Sequence, residues 1–305
     1  MAPNPALVFF GYWSGQLPAV TDLHFRSFLR HHPQARYELW LDEDGASAIA
    51  APELQWIRAH PRITLRSLAL DRLIEQHVGT RAVARYDRFA RLRRAAGALH
   101  RRIAPQWARR NAWEHSQFGL TYKHSSLLFE GFTRDKAYRG DLARCLIALE
   151  HYPQGCVHVD LDVCFCGDVG TLCGDKGWAY RWGTQPCASA AILFLPNRTW
   201  SAALVRKGVE LESFRPWILF ADHVCAALGI VVHPARLFDP ALDSTSLLYG
   251  DTTRFFAPRD TLALDLHALA GERHLAIHWH QHWSTVPAPT SLYAGLLKAC
   301  ETATS

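Results

Sequence analysis

The sequence has no phosphate loop, no Gly-x-Gly-x-x-Gly fingerprint, no Gly-x-Ser-x-Gly elbow and no Cys-x-x-Cys pair. The first three absences remove the usual signatures of P-loop, dinucleotide-binding and serine-hydrolase chemistry. No apolar run approaches the ~18 residues of a membrane span; the longest, Ala188–Leu195 with Ser189 inside it, is about half that. The opening Met-Ala-Pro-Asn-Pro lacks a basic stretch followed by an apolar core, so no secretory signal is read and the expected compartment is the cytoplasm. No repeat, low-complexity tract or linker interrupts the chain. One domain over 1–305 is therefore expected, although a chain of 305 residues leaves room for two. The 8 cysteines read as reduced, mostly buried residues. A zinc site from Cys164 and Cys166 is disfavoured, because one intervening residue on a strand points both thiols the same way into a core.

What is there supports a large core: 49% of residues are hydrophobic and 20% charged, which excludes global disorder. The net charge of +5 is unevenly placed. Segment 81–110 carries arginines 81, 85, 88, 91, 93, 94, 101, 102, 109 and 110 against the single acid Asp87, so the rest of the chain is net acidic. Phe89, Leu92, Ala96, Leu99 and Ile103 fall at helical spacing, which predicts an amphipathic helix with an arginine face. It sits in an expected helical, arginine-rich insertion over 66–130. Such a face is either simply solvated or contacts an anionic membrane surface or a phosphate-bearing substrate. The membrane reading places the protein peripherally at the inner membrane face. No zinc-finger, homeodomain or RNA-recognition signature accompanies the patch, so no nucleic-acid partner is expected.

Strands are predicted at 6–13, 37–41, 63–65, 156–163, 188–195, 230–233 and 275–279, and helices at 21–31, 141–150 and 220–228. Strand–helix–strand alternation predicts an α/β sheet with right-handed crossovers. The strongest chemical signal is Val157-His158-Val159-Asp160-Leu161-Asp162-Val163, two carboxylates closing an apolar strand. Burying carboxylates costs several kcal/mol unless they are paired or bind a cation. Strand alternation would put Asp160 and Asp162 on one face. There they could hold a divalent metal, and the metal a diphosphate. In the preceding helix, Asp141 and Arg144 are one turn apart and share a face. Near the C-terminus, His278-Trp279-His280-Gln281-His282-Trp283-Ser284 offers imidazoles that could complete a site suited to manganese. A zinc site of His278, His280 and His282 on one face of an extended strand stays open, as does a structural role. Tyr12-Trp13 ends the first strand, where Trp13 could stack on a nucleotide base.

Together these pieces resemble the GT-A glycosyltransferases with a DXD sugar-binding region, a group that includes initiating α-1,6-mannosyltransferases, α-1,4-galactosyltransferases and bacterial capsule and lipopolysaccharide enzymes. The resemblance is carried by Tyr12-Trp13-Ser14-Gly15, Phe25-Arg26-Ser27-Phe28, His32-Pro33 and Leu39-Trp40-Leu41-Asp42. It continues in Asp141-Leu142-Ala143-Arg144, Gly155 through Asp162, His278-Trp279 and Trp283-Ser284. Residues 50–135 are unmatched, Cys156 stands where the family has a second glycine, and His158 where it has tyrosine.

The resemblance implies a GT-A type, Rossmann-like nucleotide-binding sheet and a nucleotide-diphosphate sugar donor. It also implies Mn2+ or Mg2+ as cofactor and a glycan or lipid-linked acceptor. Asp162 would ligate the metal, Asp160 would contact metal or ribose, and His278 would be the third ligand with His280 or His282 as alternates. Asp141 and Arg144 would hold donor sugar hydroxyls, Tyr12 and Trp13 would lie at the donor with Trp13 facing its base, and Trp283-Ser284 would close over the diphosphate. Asp222, at a predicted helix start, is the candidate acceptor-side carboxylate. Two other classes compete: a phosphatase with an aspartyl nucleophile in its Asp-x-Asp, and a non-catalytic sugar-nucleotide binder. The phosphatase pattern places that motif on the first strand, whereas here it lies mid-chain.

Overall fold

A computed structural model describes residues 7–42, 45–79, 136–211, 213–280 and 282–301. The arginine-rich helix expected within 81–110 lies outside the described residues, as does most of the expected insertion. Of that insertion's expected start, residues 66 and 67 instead end a strand and Leu70–His77 is a helix.

The main sheet contains β1 (Val8–Trp13), β2 (Arg36–Leu41), β3 (Ile63–Ser67), β4 (Cys156–Val159), β6 (Trp178–Arg181), β7 (Ala188–Leu195) and β8 (Val231–His233), in the order β3-β2-β1-β4-β7-β6-β8. Six of these seven strands run the same way and only β7 is reversed. The expected α/β class and Rossmann-like sheet are borne out. A second, two-stranded sheet pairs β5 (Val163–Phe165) with β9 (Ala276–His278).

Alternation along the central strands divides the core. Phe10 and Cys156 face the helix Lys136–His151 and pack with Leu142, Leu146 and Leu193. Phe9, Val157 and Val159 face the helix Asp22–His31 and pack with Phe25, Phe28 and Tyr37. A third cluster, including Trp279, Phe255 and Tyr293, seats the helix Leu292–Glu301 beside β9. The sequence reading missed β6 and the helices Arg198–Glu210, Leu262–Gly271 and Leu292–Glu301.

One predicted strand divides. The expected 156–163 strand stops at Val159, residues 160–162 turn, and Val163 opens β5 in the other sheet. The amide of Asp160 still donates to the Ala191 carbonyl at 2.7 Å, so β7 holds the chain where it leaves. Two glycines permit this path. Gly155, at φ +99°, turns into β4 against the carbonyl of Pro196, where a Cβ would stand 2.4 Å from the oxygen. Gly11 lets the tip of the next turn in: a Cβ there would lie 2.9 Å from Leu161 and 2.4 Å from the Tyr37 hydroxyl.

Candidate active site

The turn after β4 carries Asp160 and Asp162 at the carboxyl end of the central strands, where open α/β sheets bind their ligands. Register then does what sequence spacing cannot. In the β5–β9 pair, Val163 stands opposite His278, and the Trp279 amide donates to the Asp162 carbonyl at 2.9 Å. His278 is thereby delivered to Asp162 across 116 positions of chain, Nε2 to Oδ2 at 3.3 Å. Ligand atoms of Asp160, Asp162 and His278 all lie within 4.8 Å of one another. The carboxylates converge as expected, but through a turn, because the strand has already ended. Two carboxylates and an imidazole form a donor set that suits a divalent cation.

Behind Asp160 runs a buried ion-pair chain. Arg144 reaches Asp141 at 2.9 Å and Asp160 at 3.4 Å, and donates to the Ala190 carbonyl at 2.7 Å. Arg215 reaches the other oxygen of Asp141 at 3.3 Å. Asp141 and Arg144 therefore act as a couple, as their helical spacing predicts. Arg215 was missed; its only sequence signal is an arginine set among Phe214, Pro216 and Trp217. His158 Nε2 lies 3.6 Å from Asp160.

Electrostatics follow from this crowding. Burial, reinforced by the Asp162 charge, raises Asp160 to about 7 against the pull of Arg144. Burial disfavours a charged His278, but the carboxylates of Asp162 and Asp239 outweigh it and push the imidazole up to about 10. His158 is lowered well below its usual value by burial and by Arg144. The site thus gathers acids whose mutual repulsion Arg144 and a protonated His278 offset. A dication is suited to the same task.

The other candidate residues make contacts of their own. Trp13 and Trp283, 270 positions apart, meet edge to face with ring centroids 4.7 Å apart. Tyr12 turns to the opposite face and donates to Asp42 at 2.6 Å. Arg139 pairs with Asp42 at 3.3 Å and with Asp71 at 3.1 Å. Asp42, Asp71 and Arg139, with Ser14, Leu70 and Arg72, border a cleft of about 510 Å³ at the ends of β1–β3. Ser284 is exposed in the turn after Trp283. Asp222 begins the helix Asp222–Leu228 and pairs with Arg181.

The extended His278–His282 strand needs correction. β9 ends at His278, and both His280 (φ 52°) and His282 (φ 47°) have left-handed backbone. The three imidazoles do not share a face: His282 Nε2 bonds the Thr252 hydroxyl at 2.8 Å. His280 instead approaches Asp239, Nε2 to Oδ2 at 2.8 Å. Asp239 is fully buried and was missed, as was Tyr180, whose hydroxyl lies 2.8 Å from His278 Nδ1. Nothing in Phe238-Asp239-Pro240 marks the aspartate in sequence. The His278 amide donates to the Phe238 carbonyl at 3.0 Å, and this contact sets Asp239 beside the imidazoles. All 8 cysteines are free, so no disulfide shapes the site.

No protein-family model and no curated protein matches the chain. Solved structures similar to it are glycosyltransferases, the class that the sequence motifs resemble. The bifunctional glycosyltransferase WbbM is 11% identical, with a TM-score of 0.48, over 98% of this chain and 50% of its own. The galactosyltransferase LgtC, solved with donor and acceptor sugar analogs, is 11% identical with a TM-score of 0.42, over 96% of both chains. GlyE of Streptococcus pneumoniae TIGR4 is 11% identical with a TM-score of 0.49, over 98% of this chain and 64% of its own. The chain thus spans half the length of WbbM and less than two thirds of GlyE. No described helix is long and apolar enough to cross a membrane.

Proposed function

We propose that this chain is a divalent-metal-dependent glycosyltransferase that moves a sugar from a nucleotide-diphosphate donor to an acceptor hydroxyl. The observation that carries the reading is the convergence of Asp160, Asp162 and His278 at the sheet's carboxyl end, backed by the Arg144–Asp141–Arg215 chain. In this reading Asp160, Asp162 and His278 hold Mn2+ or Mg2+, and 1–305 acts as one GT-A domain. The bound cation supplies Lewis-acid stabilisation of the negative charge that grows on the departing diphosphate.

The chain's own residues do the rest. Arg144 favours the ionised form of Asp160 against the effect of burial and, with Asp141, offers hydrogen bonds to donor sugar hydroxyls. The Trp13–Trp283 pair provides an aromatic wall for the base, with Tyr12 beside the neighbouring cleft, and Trp283-Ser284 covers the diphosphate. Asp222, which pairs with Arg181, would supply the acceptor-side carboxylate. The acceptor hydroxyl attacks the anomeric carbon from the face that the diphosphate leaves, the bond to the diphosphate breaks and the departing diphosphate oxygen takes the hydroxyl proton, so configuration is retained and no protein nucleophile is required. The acceptor class is a glycan or lipid-linked glycan, within reach of an anionic bilayer that the arginine-rich segment would contact from the cytoplasmic side.

The test is a thermal-shift screen of nucleotide-diphosphate sugars with and without Mn2+, followed by a transfer or hydrolysis assay on each hit. Stabilisation that needs both sugar nucleotide and Mn2+, with turnover lost in Asp162→Asn, supports the proposal. Phosphate release from an aryl phosphate without sugar-nucleotide turnover would establish the phosphatase instead. Sugar-nucleotide binding without turnover against a panel of glycan acceptors would leave a binding protein.

A further inference from the structure

A second group of ligand atoms stands behind His278, on the side away from Asp160. Asp239, His278 and His280 each place a carboxylate oxygen or ring nitrogen within 4.8 Å of the others. Asp239 is fully buried, and among the described residues neither of its oxygens has a hydrogen bond of sound geometry. The same holds for His280 Nε2, although it lies only 2.8 Å from Asp239 Oδ2. These atoms are at contact distance but not aligned as donor and acceptor, a relation that two ligands of one ion can have. His278 Nδ1 lies 3.7 Å from the same oxygen. Two atoms each about 2.1 Å from a zinc ion stand about 3.4 Å apart in a regular tetrahedron and at most about 4.2 Å apart. The observed 2.8 and 3.7 Å fall on either side of the tetrahedral value. His280 is held for this approach by a left-handed backbone that a histidine rarely adopts.

We propose that Asp239, His280 and Nδ1 of His278 form a second cation site, selective for an imidazole-seeking transition ion such as Zn2+ and antagonistic to the Asp160–Asp162 site. Two imidazoles and one carboxylate favour zinc over manganese or magnesium. The antagonism follows from His278 being common to both groups. A neutral imidazole has one lone pair, on one nitrogen. With Nδ1 on zinc, the ring proton resides on Nε2 and donates to Asp162, so that nitrogen no longer serves the other cation. Any proton on Nδ1 is released to solvent when zinc binds. The Tyr180 hydroxyl loses its contact with Nδ1.

Zinc binding by Asp239, His280 and Nδ1 of His278 stands or falls apart from the proposed sugar transfer, and only the antagonism rests on the proposed Asp160–Asp162–His278 cation site. The experiment is calorimetric titration of the chelator-treated full chain with Zn2+, and separately with Mn2+. Wild type, His280→Gly and His282→Gly are compared, with Co2+ absorption as a second readout of ligand geometry. Glycine suits both left-handed positions, so these variants are matched in backbone effect. The expected result is one Zn2+ bound by wild type and His282→Gly, at least about tenfold weaker in His280→Gly, with a tetrahedral Co2+ spectrum lost in the same variant. Zn2+ should also weaken Mn2+ binding in wild type at least about fivefold, a coupling of ordinary size, and this effect should vanish in His280→Gly. Equal Zn2+ affinity in wild type and His280→Gly, or no Zn2+ binding by wild type, would overturn the proposal whatever the outcome of any transfer assay.

Discussion

Replacing Arg144 with methionine keeps the side chain's bulk and removes its charge from between two carboxylates. Arg144 is buried and pairs with Asp141 at 2.9 Å and Asp160 at 3.4 Å. Breaking a buried pair by deleting one partner typically costs about 3–5 kcal/mol, because a charge is left uncompensated. Two features lower that figure here. Asp141 keeps Arg215 at 3.3 Å, and the Asp160 side chain is 32% exposed, so solvent screens part of its loss. The expected cost is therefore about 2–3 kcal/mol, or a melting temperature lower by about 4 °C for a chain of this size. Asp160, already raised to about 7, moves higher once its cation is gone. Arg144→Lys should fall between, since it restores charge but cannot fork between Asp141 and the Ala190 carbonyl. Calorimetric melting of the three proteins at pH 7.5, with and without saturating Mn2+, checks this. Mn2+ should narrow the methionine variant's deficit by replacing the missing positive charge. A methionine variant that melts with wild type would refute Arg144 as the counter-charge of this site.

Three further outcomes are expected. His24 and His32 are buried and neutral, each lowered to about 4 mainly by burial. Below about pH 6.5 the unfolded chain binds protons that the folded chain does not, so stability is complete above that pH and declines towards pH 4, by up to about 1.4 kcal/mol per pH unit for each histidine. Urea midpoints from pH 7 to 5 should fall accordingly, and less steeply in His24→Gln; equal slopes would remove His24 from the account. Gly11→Ala forces a methyl group against Leu161 and the Tyr37 hydroxyl. It should cost about 1–3 kcal/mol in urea unfolding and blunt the Mn2+ thermal shift by moving the Asp-x-Asp turn. Trp13→Ala should weaken nucleoside-diphosphate binding by about 1–3 kcal/mol, measured by calorimetry, while Mn2+ binding without nucleotide is kept; an unchanged nucleotide affinity would place the base elsewhere.

Some of this was legible along the chain. An apolar run located β4, and two acids at its end marked the site, because isolated carboxylates are costly beside a core. Helical spacing paired Asp141 with Arg144. Reading 156–163 as one strand failed because alternation cannot report where a chain changes sheets; that depends on Gly11 leaving room for Leu161 and on β9 offering Val163 a partner. The three histidines looked equivalent in sequence. Only their backbone angles separate His278, at the end of a paired strand, from His280 and His282, whose side chains go to Asp239 and Thr252.

The sequence alone therefore determined the α/β class, the central strands and the acids at the tip of β4, since these follow from local periodicity and from the cost of burying charge. The tertiary structure alone decided that His278 faces Asp162, that Trp13 meets Trp283 and that Asp239 lies beneath two imidazoles. The physical reason is range. Periodicity is fixed within a few residues of chain, whereas these contacts join segments tens to hundreds of positions apart. Their closeness is set by strand register and core packing.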